Sequence, residues 1–310
     1  MNEPQSTSSN TPPRLNVIGA GKLGRTLARL FSDAGLVTMG AIYNRKIESS
    51  RCAQTFIGAG RVISHIEELA DQPAELWMIA TPDDAIRNCA EQLATLKNLD
   101  WDWDWNSTTV FHSSGLKTAL ELAALQNLGS SVASAHPAHS FASPQRSLSN
   151  FSATVCTLEG DDSAITVLDG LFSGIGGLTT RLQPEAKALY HAATVMASNY
   201  LVALIGASET LLEKAGIEDA LASAILSPLM RQSLENGLTV GAANALTGPI
   251  ARGDIETLQA HLAAITQTAP DLRNTYRTMG RQALKLAQKK NNLNQKVLTA
   301  MQKLFHEESK

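Results

Sequence analysis

One stretch constrains this chain more than any other. Gly19-Ala20-Gly21-Lys22-Leu23-Gly24 has the pattern G-x-G-x-x-G and follows the apolar run Leu15-Asn16-Val17-Ile18. It opens a helical pattern in which Leu23, Leu27, Leu30 and Phe31 share a face. In that setting Gly19 permits the tight turn, Gly21 lets backbone approach a pyrophosphate, and Gly24 lets helix pack on strand. The helix start then offers unpaired N–H groups and partial positive charge to phosphates. Strand, turn and helix in this order predict an α/β domain that binds a dinucleotide. A glycine-rich turn in an unrelated α/β domain is the alternative.

The first half keeps that rhythm. β-like runs at 15–18, 37–43, 61–63, 76–80, 109–112 and 132–135 alternate with helical patterns, which predicts a Rossmann-type doubly wound parallel sheet. Pro82 with Asp83-Asp84 reads as a helix start, and a further βαβ-like piece spans 151–182. After Pro184 strand signals vanish. Helices are expected at 184–215, 219–235, 241–245, 254–264, 271–289 and 294–305, with Gly216 closing the first. The expected organisation is a polar, disordered lead-in at 1–13, a nucleotide-binding α/β domain at 14–183 and an all-α domain at 184–310.

Charge and cysteine usage narrow the class. Lys plus Arg is 26 and Asp plus Glu 29, a net charge of −3, so there is no basic surplus for nucleic acid or an anionic membrane. Cys52, Cys89 and Cys156 lie far apart without a C-x-x-C, which argues against a disulfide framework or a metal site and suits a reducing cytoplasm. The start lacks the basic and apolar regions of a secretory signal. Residues 188–208 carry no Asp, Glu, Lys or Arg and could span a bilayer by length. Tyr190, His191, Thr194, Ser198 and Asn199 are too many polar groups for a lipid-facing helix, so a buried soluble helix is expected. Trp101-Asp102-Trp103-Asp104-Trp105 reads as a loop covering the domain or as an oligomer contact.

The tip of the second strand selects the dinucleotide. An NAD site usually has an acid there for the ribose hydroxyl, but this chain has Tyr43-Asn44-Arg45-Lys46. Arg45 and Lys46, with Asn44 and the hydroxyls of Ser49 and Ser50, suit a 2′-phosphate, so NADP(H) is the expected cofactor. Ligands in such sheets bind at the carboxyl ends of the strands. There Thr81 and Pro82 fit the nicotinamide side, while His112 with Ser113 and Ser114, and His136, are candidates for substrate and proton. Each histidine taken alone fits loop hydrogen bonding as well.

On the next helix Lys187, His191, Thr194 and Ser198 fall within about 60° of arc and form one polar stripe among apolar neighbours. The stripe suits a cleft, in which Lys187 orients a carboxylate or polarises a carbonyl and His191 relays a proton. A face toward solvent or a partner is the alternative. Thr247 and Arg252 sit in a tight interhelical connection, as a helix cap and as a cation for an anionic group.

These motifs together resemble a known family. Gly19–Gly24, His112-Ser113-Ser114-Gly115, His136-Pro137, Tyr190-His191-Ala192-Ala193 with Ser198-Asn199-Tyr200, and Thr247-Gly248-Pro249 with Arg252-Gly253-Asp254 carry the likeness. The chain is similar to two-domain bacterial proteins with a Rossmann-like NADP-binding domain and a helical C-terminal domain of unknown function. More distantly it resembles pyrroline-5-carboxylate reductase, ketopantoate reductase and the 6-phosphogluconate dehydrogenase group. In the last two a Lys opens the helix after the Rossmann domain with an Asn one turn on. Lys187 matches the Lys, and His191 stands at the Asn position. His136-Pro137 is similar to the His-Pro of prephenate dehydrogenases, whose partner arginines are not evident here.

Residues and resemblance together imply an NADP-dependent oxidoreductase, cytoplasmic by its cysteine usage and, like the related reductases, a homodimer with a helical substrate and dimerisation domain. It would move hydride between NADPH and a small carbonyl or imine acid, with Lys187, His191, His112 and His136 as proton donors or relays. A non-catalytic NADP(H) sensor or scaffold, and an oxidative enzyme similar to prephenate dehydrogenase, are the rival readings.

Overall fold

The computed structural model describes residues 11–96, 103–290 and 293–306. Most of the expected lead-in, and Trp101 and Asp102, lie outside the described residues. Eight strands form one sheet: β1 (Arg14–Ile18), β2 (Thr38–Tyr43), β3 (Arg61–Ile63), β4 (Leu76–Ile79), β5 (Thr109–His112), β6 (Ser131–Pro137), β7 (Val155–Gly160) and β8 (Leu178–Arg181). Their order is β3-β2-β1-β4-β5-β6-β7-β8, the doubly wound arrangement expected. The six strands read from sequence are all present, to within two residues at each end. The piece at 151–182 differs in one respect: β7 runs antiparallel to β6, although β7 and β8 are parallel. The link from β6 to β7 holds only the short helix α5 (Pro144–Asn150) and turns back at once, Ala138 N–H donating to the Val155 carbonyl.

Helices cover both faces. α1 (Lys22–Asp33), α2 (Ile47–Ile57) and α6 (Asp162–Gly174) bury Phe31, Ile57 and Phe172 against Val17, Met78, Phe111 and Leu158, with the Phe31 and Phe172 rings edge-on at 5.4 Å. On the opposite face α3 (Ile86–Thr95) and α4 (Ala123–Gln126) cover Ile18, Ile79, Val110 and Val132. Trp105 is buried in this second core, 5.8 Å from Trp77, and the Trp103 indole N–H donates to the Thr108 hydroxyl. The described part of the tryptophan segment therefore serves as cover for the domain.

Strand register prepares the chemistry. One row across the sheet reads Tyr43, Ile18, Ile79, His112, Ser134, Glu159. It is apolar in the centre, then buried and polar across β5, β6 and β7. Buried polar groups need partners, and the segment after β5 supplies them.

The helix expected at 184–215 is two: α7 (Lys187–Ala197) and α8 (Asn199–Lys214), separated at Ser198, whose φ and ψ are −116° and −70°. Ser198 donates instead to the Asn199 side chain, the local competition that short polar residues offer a helix. The chain divides into two compact units, the first ending at Met196 and the second beginning at Ala197, so 184–196 lies with the sheet.

The second unit holds α8, α9 (Asp219–Val240), α10 (Ala242–Ala245), α11 (Gly248–Arg252), α12 (Ile255–Thr268), α13 (Arg273–Lys289) and α14 (Gln295–Phe305). Its core gathers Leu258, Leu284, Met301 and Phe305. The expectation of a buried helix at 188–208 does not hold. No residue of α8 is buried, and α9 buries only Ala222, because the small core lies among the later helices. Residues 184–214 are, by length and composition alone, apolar enough to cross a membrane.

Candidate functional site

The glycine turn closes over the end of β4. Gly19 has φ +83°, and a Cβ there would lie 2.7 Å from the Thr81 nitrogen. A Cβ on Gly24 would lie 2.8 Å from the Gly19 carbonyl oxygen and 3.0 Å from the Ala80 Cβ, so helix and strand pack as closely as the motif predicts. Gly21 meets nothing nearer than 4.0 Å and faces outward. It starts α1 without a side-chain cap and with no acid in the first turn, which leaves the helix N–H groups for an anion. Not all six residues of the motif face the cleft. Ala20 and Leu23 turn into the core, Gly24 packs on β4, and Lys22 is exposed away from the lining, so Gly19 and Gly21 form the floor.

From that floor a cleft of about 760 Å³ runs past Asn44, Arg45, Lys46 and Ser49 on one side and Thr81 and Pro82 on the other. Asn88, Cys89 and Gln92 of α3, which the sequence did not suggest, complete its wall. Ser50 does not take part. It is fully buried and accepts from the Asn44 amide. Among the described residues no Asp or Glu lines the cleft, while Arg45 and Lys46 are exposed at the tip of β2. A turn that admits no Cβ and an open helix start fit a dinucleotide's pyrophosphate, and an acid-free cationic rim lies beside them.

The second cluster adjoins the first through Asp83, the residue after Pro82, which accepts a 2.7 Å hydrogen bond from the Ser114 hydroxyl. The segment 112–119 is tied down along its length. Ser114 N–H donates to His112 Nδ1 at 3.2 Å, and His112 Nε2 donates to the Thr118 carbonyl at 2.9 Å. Leu116 and Lys117 N–H donate to the Ser114 hydroxyl, and Ala119 N–H donates to Glu159. Both ring nitrogens of His112 are thus used, and burial lowers its pKa to about 4. This neutral ring holds the loop and has no nitrogen left for a substrate, contrary to its expected role as a donor.

Lys187 also differs from expectation. It is 1% exposed, its Nζ donating to Ser134 Oγ at 2.6 Å and to the Ser114 carbonyl at 3.3 Å. Burial pulls its pKa down, against the pull of Glu159 and Asp83. A group enclosed in this way does not face a cleft.

Two other histidines do meet. A Cβ on Gly115 would lie 2.4 Å from His191 Nδ1 and 2.9 Å from His136 Nε2, so both rings press on this glycine. The rings stand edge to face with centroids 5.7 Å apart. His136 Nδ1 shares a 3.1 Å hydrogen bond with the Tyr190 hydroxyl, and burial first, then His191 and Lys187, lower the His136 pKa to about 4. Burial raises the Tyr190 phenol, with Thr157 beside it acting the other way. His191 Nδ1 and Ser113 Oγ are buried without a hydrogen-bond partner among the described residues.

The structure thus gathers Ser113, Ser114, His136, His191 and Lys187 and adds Asp83, Tyr190 and Glu159. The sequence signal for Glu159 was an acid within a β-like run, and for Tyr190 its place one turn after Lys187. The remaining candidates stand elsewhere. Thr194 donates to the His191 carbonyl of its own helix, and Ser198 marks the helix break. Thr247 and Arg252 belong to the second unit, both exposed, at the start and in the last turn of α11; Thr247 makes no side-chain cap.

Residues 1–137 match the family model of a Rossmann-like domain, and residues 154–283 match a domain of unknown function, DUF2520. No curated protein matches the sequence. Among solved structures, a Bacteroides fragilis protein described as a proposed NADP oxidoreductase is 19% identical, with a TM-score of 0.73 over 89% of this chain and 99% of its own. A Thermotoga maritima protein is 22% identical, with a TM-score of 0.67 over 90% and 100%. An imine reductase from Myxococcus stipitatus, in complex with NADP+, is 14% identical, with a TM-score of 0.58 over 94% and 100%. These likenesses establish a shared fold.

Proposed function

We propose that this chain, in which a Rossmann-like match at 1–137 precedes a DUF2520 match at 154–283, is an NADPH-dependent oxidoreductase reducing the carbonyl or imine of a small organic acid. The observation that carries this reading is the rim of the cleft. Arg45 and Lys46 lie where an NAD site keeps an acid, and among the described residues no carboxylate lines the wall. An acid would repel a 2′-phosphate, whereas Arg45 can grip it through two N–H groups. The choice of a small 2-oxo or imino acid rests on the resemblance to ketopantoate and pyrroline-5-carboxylate reductases.

Bound in the cleft, NADPH supplies hydride. The acceptor's oxygen or nitrogen then holds an electron pair and must gain one proton. His136 and Tyr190 hold such a proton between them. The ring is neutral at pH 7 and carries one N–H. If Tyr190 donates to Nδ1, the Nε2–H is left to give; if Nδ1–H donates to Tyr190, the phenol O–H is left to give. Lys187 and His112 play no direct part.

The same reading makes the protein a cytoplasmic homodimer. Val202 of α8 is 67% exposed and Leu234 and Leu238, one turn apart on α9, are 50% and 76% exposed, apolar surface suited to a second copy.

The test is a titration with NADPH and NADH, followed by small 2-oxo acids and cyclic imines. NADPH should bind roughly 10- to 100-fold tighter, the worth of one charged hydrogen-bonded contact, and an acceptor should consume its absorbance. Equal affinity for the two nucleotides overturns the cofactor assignment. Binding without consumption by any acceptor turns the protein into a nucleotide sensor.

A further inference from the structure

The buried polar row under the 112–119 segment is larger than nucleotide binding requires, and Lys187 is its centre. We infer that Lys187 is a positioning residue: acting through Ser134 and the Ser114 carbonyl, it fixes the turn 113–115 on which His136 and His191 are seated. This deepens the oxidoreductase reading and rests on it for the role of the turn.

The geometry makes the case. The Ser114 carbonyl accepts from both Lys187 Nζ and Ser134 Oγ, at 3.3 and 3.2 Å, and Lys187 also donates to that same Ser134 oxygen at 2.6 Å. These three groups form a closed triangle with no side open to a ligand. Around it, the Ser114 amide and hydroxyl are held by His112 and Asp83, and Ala119 by Glu159. Ser114 is thus held at its amide, its carbonyl and its hydroxyl, while the neighbouring Ser113 hydroxyl has no partner.

Burying an ammonium is costly unless hydrogen bonds and counter-charges offset it. Here Glu159 and Asp83 supply the charges and two oxygens supply the bonds. Ser134 and Glu159 face each other across β6 and β7, and His112 is the next in the same row, so the site of the ammonium is fixed by strand register. A proton donor needs a path to its acceptor, and a fully enclosed Nζ has none.

The experiment compares the wild type with Lys187→Met and, in case that variant folds poorly, Ser134→Ala, which removes the bridging hydroxyl and keeps the charge. Three measurements are made on the full chain. Amide exchange across 113–119 should quicken at least about tenfold in both variants. NADPH affinity should move less than about threefold, since the cleft is lined by other residues. With an acceptor in hand, kcat should fall by about 100-fold, the order expected for a displaced reacting group, while both limbs of the pH–rate profile persist.

Loss of one limb in Lys187→Met with normal exchange makes Lys187 the donor and overturns the inference. Unchanged exchange in both variants does so too. Histidine titration by NMR adds a signature that needs no substrate. The His136 midpoint, held down in part by the Lys187 charge beside it, should rise in Lys187→Met and stay put in Ser134→Ala. A wild type that binds no NADPH would sink the oxidoreductase reading alone, because amide exchange across 113–119 still judges the positioning role.

Discussion

The two units of this chain solve the burial problem differently. The sheet unit encloses Val17, Met78 and Phe111 on one face and Ile79, Trp77 and Val110 on the other, and it ties its polar row to named partners. The helical unit gathers a small core around Leu258, Leu284, Met301 and Phe305, yet α9, its longest helix, buries one residue. A complete unit can carry a site by itself, because its side chains are held by the chain that owns them. An incomplete one exposes apolar surface that something else must cover. Chemistry is thus expected to follow the first unit and assembly the second, and perturbations should separate accordingly.

The largest effect is expected where the sheet unit has no room to adjust. Gly19→Ala places a Cβ 2.7 Å from the Thr81 nitrogen at φ +83°, against backbone that cannot swing aside. The turn must shift and the pyrophosphate floor with it. NADPH affinity should fall by more than about 100-fold, as misplacement in a rigid binding turn costs several kcal/mol. Sedimentation should report an unchanged oligomer, and a variant that loses both properties together would break the proposed division of labour.

The second perturbation targets the other unit. Replacing Leu234 and Leu238 of α9, one turn apart, with Asp puts two charges on one exposed face. If a second copy covers that face, the dimer dissociation constant should rise about 30-fold or more, the effect of losing buried anchors at an interface. NADPH affinity should hold. A wild type already monomeric at micromolar concentration would remove the dimer and leave the apolar face unexplained.

How much of this was legible beforehand follows the same line. Six strands and the glycine turn could be read because their signals are local: alternation, spacing and a helix start within a few residues. The roles of Lys187 and His112 could not. Their types suggested catalysis, but whether a lysine faces a cleft or a buried carbonyl depends on the Ser134–Glu159 register across β6 and β7, a pairing set far along the chain. The antiparallel turn of β7 escaped for the same reason. Asn88 and Gln92 of α3 reached the cleft wall only through tertiary packing. Exposure of α8 was missed because an uncharged run looks the same whether its own chain or another covers it.

The smallest of the three effects tests the sheet unit's self-sufficiency without any ligand. His112 is fully buried with Nδ1 accepting and Nε2 donating, and its folded pKa of about 4 lies below the ordinary 6.5. Between those values the unfolded chain binds more protons than the folded one, so stability is full above about pH 6.5 and is lost as pH falls toward 4. From pH 7 to pH 5 the loss from this one group should be about 2 kcal/mol. His112→Gln can keep one donor and one acceptor but cannot charge in this range. Its urea midpoint should therefore fall less steeply between pH 7 and pH 5 than that of the wild type, with the residual slope belonging to groups such as His136. Parallel slopes for the two proteins would mean that His112 is protonated in the folded state, which its hydrogen bond from the Ser114 amide does not allow.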